Sequence, residues 1–150
     1  MSIDSSEPAL ALAARNLDLN GLSSAGLVEA DAFAELRRRR RAGEHFDVIV
    51  LDPPKLANSS RPEQLNRSTR AYKDLNLQAF HLLAAGGTLF TFSCSGAVSD
   101  DLFQKVVAGA ALDAGREARI VGRMMQAPDH PVHLAVPETS YLKGLIVEVE

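Results

Sequence analysis

The chain has 150 residues, with 16 Lys plus Arg against 19 Asp plus Glu, 46% hydrophobic and 23% charged, the make-up of one ordinary soluble domain and not of a disordered, collagenous or coiled-coil chain. No apolar run approaches the ~20 residues that cross a bilayer, and the opening MSIDSSEPAL has neither a basic nor an apolar leader region, so a cytoplasmic protein is expected. The single cysteine, Cys94, excludes an internal disulfide and a thiolate zinc site, and a net charge of −3 leaves any nucleic-acid partner to be held by a local patch.

Strand and helix signals alternate from the start. Ser2-Ile3-Asp4 reads as the tail of a short strand, and its position so near residue 1 suggests a fragment of a longer domain. Ser5 or Ser6 serves as N-cap and Pro8 sits in the first turn of a helix to about Leu19, closed by Asn20-Gly21. Gly26 to Ala30 is a second strand. Asp31 at its carboxyl end opens a helix that runs into the arginines 37–41 and Gly43. Phe46 to Leu51, FDVIVL, is nearly all apolar and β-branched, a strand expected to be buried on both faces.

Asp52-Pro53-Pro54 ends that strand, since neither proline can donate to a ladder. Lys55 to Ser68 is polar and reads as a loop. Leu75, Ala79, Leu82 and Leu83 then mark a helix over Tyr72 to Ala85 capped by Gly86-Gly87, and Thr88 to Phe92 is another buried strand ending at Ser93-Cys94-Ser95-Gly96. Leu102, Val106, Ala110 and Leu112 outline a helix to about Ala114. Arg119 to Met124 and Tyr141 to Val149 are the last strands, with a proline-rich loop between them. The alternation implies an α/β, Rossmann-like, doubly wound and mostly parallel sheet, with an antiparallel last strand because residues 125–140 hold no crossover helix.

Ligands of such sheets sit outside the carboxyl ends of the strands. Those ends carry Asp4, Asp31, Asp52 with its prolines, and Cys94. An acid at the Asp4 position suits the two hydroxyls of a ribose, and Asp4 and Asp31 equally suit helix capping. Asp52-Pro53-Pro54-Lys55 forms a stiff edge with an acid facing the cleft. Cys94 is either core filler or a thiol near helix N-terminal amides that favour a thiolate. Lys55, Arg61, Arg67, Arg70 and Lys73 stand against Glu63 alone, a local excess of four positive charges that suits phosphates. The arginines 37–41 point all round their helix and are explained by its dipole. His45, His81 and His133 have no metal-ligand spacing, so no metal site is expected.

SIDSS, ARNLDLNGL, EADAF, FDVIVLDPPK, YKDLNLQAFHLLAAGGTLFTFSCSG, LFQKVVAGAALDAGR, DHPV and YLKG together resemble the carboxyl-terminal part of class I S-adenosylmethionine-dependent methyltransferases. The nearest type is the bacterial enzymes that methylate carbon 5 of a cytosine in large-subunit ribosomal RNA and carry an N-terminal PUA domain. The likeness covers essentially the whole chain, and DPPK and FSCSG are its most specific parts. It implies S-adenosylmethionine as cofactor, with Asp4 on the ribose hydroxyls, Asp31 beside the adenine amino group, and Asp52 with Pro53 at the methionine end. It further implies Cys94 as nucleophile, Asp52 as a catalytic acid, and RNA contacts from Pro54, Lys55, Arg61, Arg67, Arg70 and Lys73. Ribosomal RNA is then the partner, and a homodimer is carried as an expectation of assembly.

Lys55 stands where two-cysteine RNA methyltransferases have a cysteine, which leaves Lys55 and a water as bases for the last proton transfer. Lysine there also argues against amino-group methylation, which favours an aromatic after the prolines. His130, in DHPV, is family-like without an assigned role. The family's first strand and glycine-rich turn, expected between the strands ending at Asp4 and Asp52, have no counterpart in the sequence, so residues 1–150 read as a partial methyltransferase domain. An inactive remnant that binds RNA, or a methyltransferase for a base amino group or a small molecule, are the alternatives.

Overall fold

The computed structural model describes every residue except Ala25 and Asn58; the latter falls in the expected Lys55 to Ser68 loop and lies outside the described residues. Strand β1 (Ser2–Asp4) leads into helix α1 (Glu7–Leu19), whose N-cap Ser6 accepts the Ala9 N–H and whose first turn holds Pro8. Strand β2 (Leu27–Glu29) pairs parallel with β1, and α2 (Ala32–Arg41) follows with Asp31 as its N-cap. Strand β3 (Phe46–Leu51), helix α3 (Pro62–Leu82), strand β4 (Leu83–Ser93), helix α4 (Asp100–Asp113) and strands β5 (Ala118–Met124) and β6 (Lys143–Val149) complete the order.

The strands form two sheets, β1-β2 and β3-β4-β6-β5. β3 and β4 are parallel, and β6 runs antiparallel to both neighbours, as expected of a last strand that returns without a crossover helix. No hydrogen-bonded ladder joins the two sheets among the described residues. Helix α2, which follows β2 in the chain, packs on α3. Leu36 packs with Leu75 and Leu82, Arg37 pairs with Asp74, and Arg40 donates to Gln78 at 3.4 Å. Arg38 and Arg39 hold Glu35 and Glu44, so four of the five clustered arginines are occupied structurally. The Arg38 hydrogen bond leads the effects that lower the Glu35 carboxyl to about 2, against the opposing influence of burial.

Three expectations are corrected. The polar loop after the prolines is shorter, because Pro62, placed in the first turn, starts α3 there; its fixed φ and missing donor suit a helix start. The same helix ends at Leu82, and Gly86-Gly87 forms no cap. Gly86, at φ 74°, lies within β4 where the pairing steps from Phe46–Leu83 to Val48–Thr88, so three extra residues bulge from the strand. Arg116 satisfies this bulge by donating to the Leu83 and Ala84 carbonyls, each at 3.1 Å.

Helix α4 forms as expected and buries Phe103, Val107, Ala110 and Ala111; of the residues that outlined it Ala110 is buried, Leu102 and Val106 pack at the edge of the core, and Leu112 is 78% exposed. Strand β3 is not buried on both faces. Ile49 and Leu51 pack into the core, whereas Val48 is 57% and Val50 63% exposed. The described helices α3 and α4 cover one face of the larger sheet, around Tyr72, Phe80, Leu89, Phe103, Leu145 and Val147, and leave the Val48-Val50 face open. Tyr72 and Phe103 meet edge to face at 5.8 Å, tying α3 to α4.

Candidate functional site

The carboxyl ends of β1 and β2 place Asp4 and Asp31 on one edge of the small sheet. Each uses one carboxylate oxygen locally: Asp4 Oδ1 accepts the Ser6 N–H at 2.8 Å, and Asp31 Oδ1 accepts the Ala34 N–H at 2.9 Å. Capping is therefore present at both. It leaves the second oxygen of each exposed acid for a ligand, since a carboxylate accepts at about four lone-pair sites.

The carboxyl ends of the parallel β3 and β4 place Asp52-Pro53-Pro54-Lys55 and Cys94 on one edge of the large sheet. Asp52, Pro54 and Lys55 are exposed, and Pro53 and Cys94 are half-buried. Ser93 and Ser95, on either side of Cys94, are fully buried and polar. A buried polar group is tolerated only when it is hydrogen-bonded, and both are. Ser93 Oγ donates to the Tyr72 hydroxyl oxygen at 3.0 Å, the Tyr72 hydroxyl is 2.9 Å from Ser95 Oγ, and the Ala57 N–H donates to Ser95 Oγ at 3.1 Å. Ser68 Oγ donates to the Leu56 carbonyl at 2.8 Å. The turn that carries Cys94 and the segment that follows Asp52 are thus clamped to each other and to α3.

Lys143, the first residue of β6, lies opposite Ser93 in the ladder and is 8% exposed, and its Nζ donates to the Ser95 carbonyl at 2.9 Å. Burial pushes its ammonium below the usual lysine range, and Asp100 and Cys94 pull it back up. Gly144 follows because a Cβ there would stand 2.6 Å from the Phe92 ring. Sequence reasoning missed Tyr72, Ser93, Ser95 and Lys143 as a group. The available signals were serines alternating through a buried strand end and a lysine heading the otherwise apolar GLIV run.

The five basic residues do not form one patch at the rim. Lys55 is at the strand end and Arg61 is the N-cap of α3, but Arg67, Arg70 and Lys73 follow along that helix. At 1.5 Å per residue Lys73 lies ~16 Å from Pro62. Lys73 pairs with Asp113 of α4 at 2.8 Å, and with Thr69, Arg70, Lys105 and Gly109 it lines a shallow groove between the two helices. His130 is exposed and pairs with Asp129 at 3.1 Å in the loop before β6. No helix of the described residues is long and apolar enough to cross a membrane.

No family model matches the chain. It is 53% identical over 149 residues to the ribosomal RNA large subunit methyltransferase I of Aeromonas salmonicida, covering 98% of this chain and 37% of that protein. The protein of the same name from Shewanella amazonensis is 53% identical over 150 residues, with 99% and 37% covered. The chain thus spans little more than a third of the length of these relatives. Among solved structures it is similar to SMU.776, a methyltransferase by assignment complexed with SAH, at a TM-score of 0.81 and 22% identity over 99% of this chain and 38% of that one. The SAM-dependent methyltransferase from Agrobacterium tumefaciens gives a TM-score of 0.66 and 22% identity over 99% and 47%. The α/β fold is therefore the Rossmann-like fold of these methyltransferases.

Proposed function

We propose that this chain is the catalytic, substrate-side part of an S-adenosylmethionine-dependent methyltransferase that modifies carbon 5 of a cytosine in ribosomal RNA through a covalent adduct to Cys94. The observation that carries the reading is the Ala57–Ser95 hydrogen bond, which holds the Asp52 segment and the Cys94 turn at one sheet edge. Its substrate class is supported by the 53% identity to ribosomal RNA large subunit methyltransferases.

Asp4 would hold the cofactor's ribose hydroxyls, Asp31 the adenine amino group, and Asp52 with Pro53 the methionine end. The exposed acids at the ends of β1 and β2 fit the adenosine half. The glycine-rich turn that would wrap the other half, and an RNA-binding PUA domain, are in this reading not supplied by these 150 residues. When bound, the cofactor supplies a methyl group on a sulfonium. Carbon 5 of cytosine is a poor nucleophile, so the Cys94 thiolate adds to carbon 6 and gives carbon 5 the enamine character needed to take that methyl. Asp52 hydrogen-bonds the base edge or protonates the ring nitrogen as addition proceeds, and Lys55 or a water removes the carbon 5 proton, expelling the thiolate. Pro54, Lys55, Arg61 and Arg67 contact the RNA near the rim, with Arg70 and Lys73 further along its path. Cytoplasmic location and a homodimer remain part of this proposal.

The test is methyl transfer to ribosomal RNA by a protein in which this chain follows the amino-terminal portion of the Aeromonas relative. Cys94→Ala removes a half-buried thiol and little volume, so the fold is retained while transfer falls by orders of magnitude. Near-normal transfer by that variant would make Cys94 structural and end the carbon 5 assignment.

A further inference from the structure

A buried ammonium is costly unless it is paired, and Lys143 carries one at the head of a core strand. One of its three N–H groups donates to the Ser95 carbonyl. A neutral donor would satisfy that carbonyl equally well, so the hydrogen bond alone does not account for a cation. The ammonium lies 2.9 Å from the carbonyl of the residue after Cys94, and Lys143 stands opposite the residue before it in the ladder, so the charge sits at the turn that carries the thiol. Asp100 at the start of α4 and Cys94 both favour the charged form, Asp100 the more. Tyr72 reaches the same turn from α3, its hydroxyl engaged by Ser93 and Ser95. Asp100 is exposed to solvent, which screens it. Cys94, within the turn that the ammonium holds, is the other group that favours the charge.

We propose that Lys143 is a positioning residue for Cys94: it pins the Ser93–Ser95 turn through the Ser95 carbonyl and supplies the positive charge that stabilises the Cys94 thiolate. The inference rests on the reading of Cys94 as nucleophile. It assigns to β6, a strand outside the Asp52 and Cys94 motifs, a role in the reacting state of the thiol.

Cys94 is the chain's one cysteine, so iodoacetamide alkylation of the protein reads it alone. Rates are measured across pH for the parent protein, Lys143→Met, Lys143→Gln and Lys143→Arg, each checked for a parental thermal transition. Loss of the charge in the Met or Gln variant slows alkylation near neutral pH about tenfold and moves the profile toward higher pH, while Arg restores most of the rate. A structural role alone would leave the profile in place, and an unchanged profile in a folded Met or Gln variant overturns the proposal. The same proteins, completed at the amino end, are offered RNA containing 5-fluorocytidine. Adduct formation by the parent protein beside an unchanged Met profile refutes Lys143 alone. No adduct on a methylated substrate refutes the nucleophile reading and this role with it.

Discussion

The Ala57 backbone N–H donates to Ser95 Oγ at 3.1 Å, so the segment after Asp52 and the turn after Cys94 share a fully buried hydrogen bond across 38 residues of sequence. Tyr72 enters the same cluster from α3 and reaches both serines flanking Cys94. Packing of α3 and the geometry of the thiol are thereby one problem.

Ser95→Ala leaves the Ala57 N–H and the Tyr72 hydroxyl each short of a buried partner, and destabilises the protein by about 1–3 kcal/mol in urea unfolding. Tyr72→Phe removes the shared hydroxyl from the other side. The two substitutions combined cost less than the sum of their separate effects, because each breaks the same cluster. Strict additivity would show that the serines and the tyrosine act independently.

Asp52→Asn leaves the thermal transition unchanged, since Asp52 is exposed at the strand end and outside the core. In the completed protein it loses most of its turnover. Unchanged single-turnover rates would remove Asp52 from the catalytic group.

The residues 1–150 alone bind S-adenosylmethionine weakly. The acids on β1 and β2 lie on a sheet with no ladder to β3 among the described residues, and the sequence supplies no glycine-rich turn for the methionine end. Calorimetric binding at micromolar strength, about −8 kcal/mol, would contradict this.

His81 sits in the last turn of α3, where the helix dipole favours a charged ring. Burial, followed by the nearby Arg40 and Arg116, prevails and lowers its pKa. The unfolded chain then binds the proton more readily than the folded one, so stability is full above the ordinary histidine value of about 6.5 and declines as the pH falls below it. His81→Gln flattens that decline. A slope identical to the parent's between roughly pH 7 and 5 would assign the acid sensitivity to other groups.

Local signals in the sequence located most elements because they are chemical: Ser6, Asp31 and Pro8 do at their helix starts what short polar side chains and proline do generally. The open face of β3 was not legible. FDVIVL is apolar on both faces whatever covers it, and the covering of Val48 and Val50 depends on distant chain. Gly86-Gly87 reads equally as a cap or a bulge, and Arg116, thirty residues on, decides between them by binding the bulge carbonyls. At the site, Asp52 and Cys94 were visible as motifs at strand ends. The Tyr72–Ser95–Lys143 cluster joins three elements distant in sequence, and no local spacing announces it.

The most direct measurement is a denaturing gel of the completed protein incubated with S-adenosylmethionine and ribosomal RNA containing 5-fluorocytidine at the methylated position. Fluorine at carbon 5 blocks the final proton loss, so a thiolate that has added to carbon 6 cannot leave. The account predicts a denaturation-resistant protein–RNA species that forms with Cys94 intact and is absent in Cys94→Ala. Methylation of the unmodified RNA without any such species would contradict it.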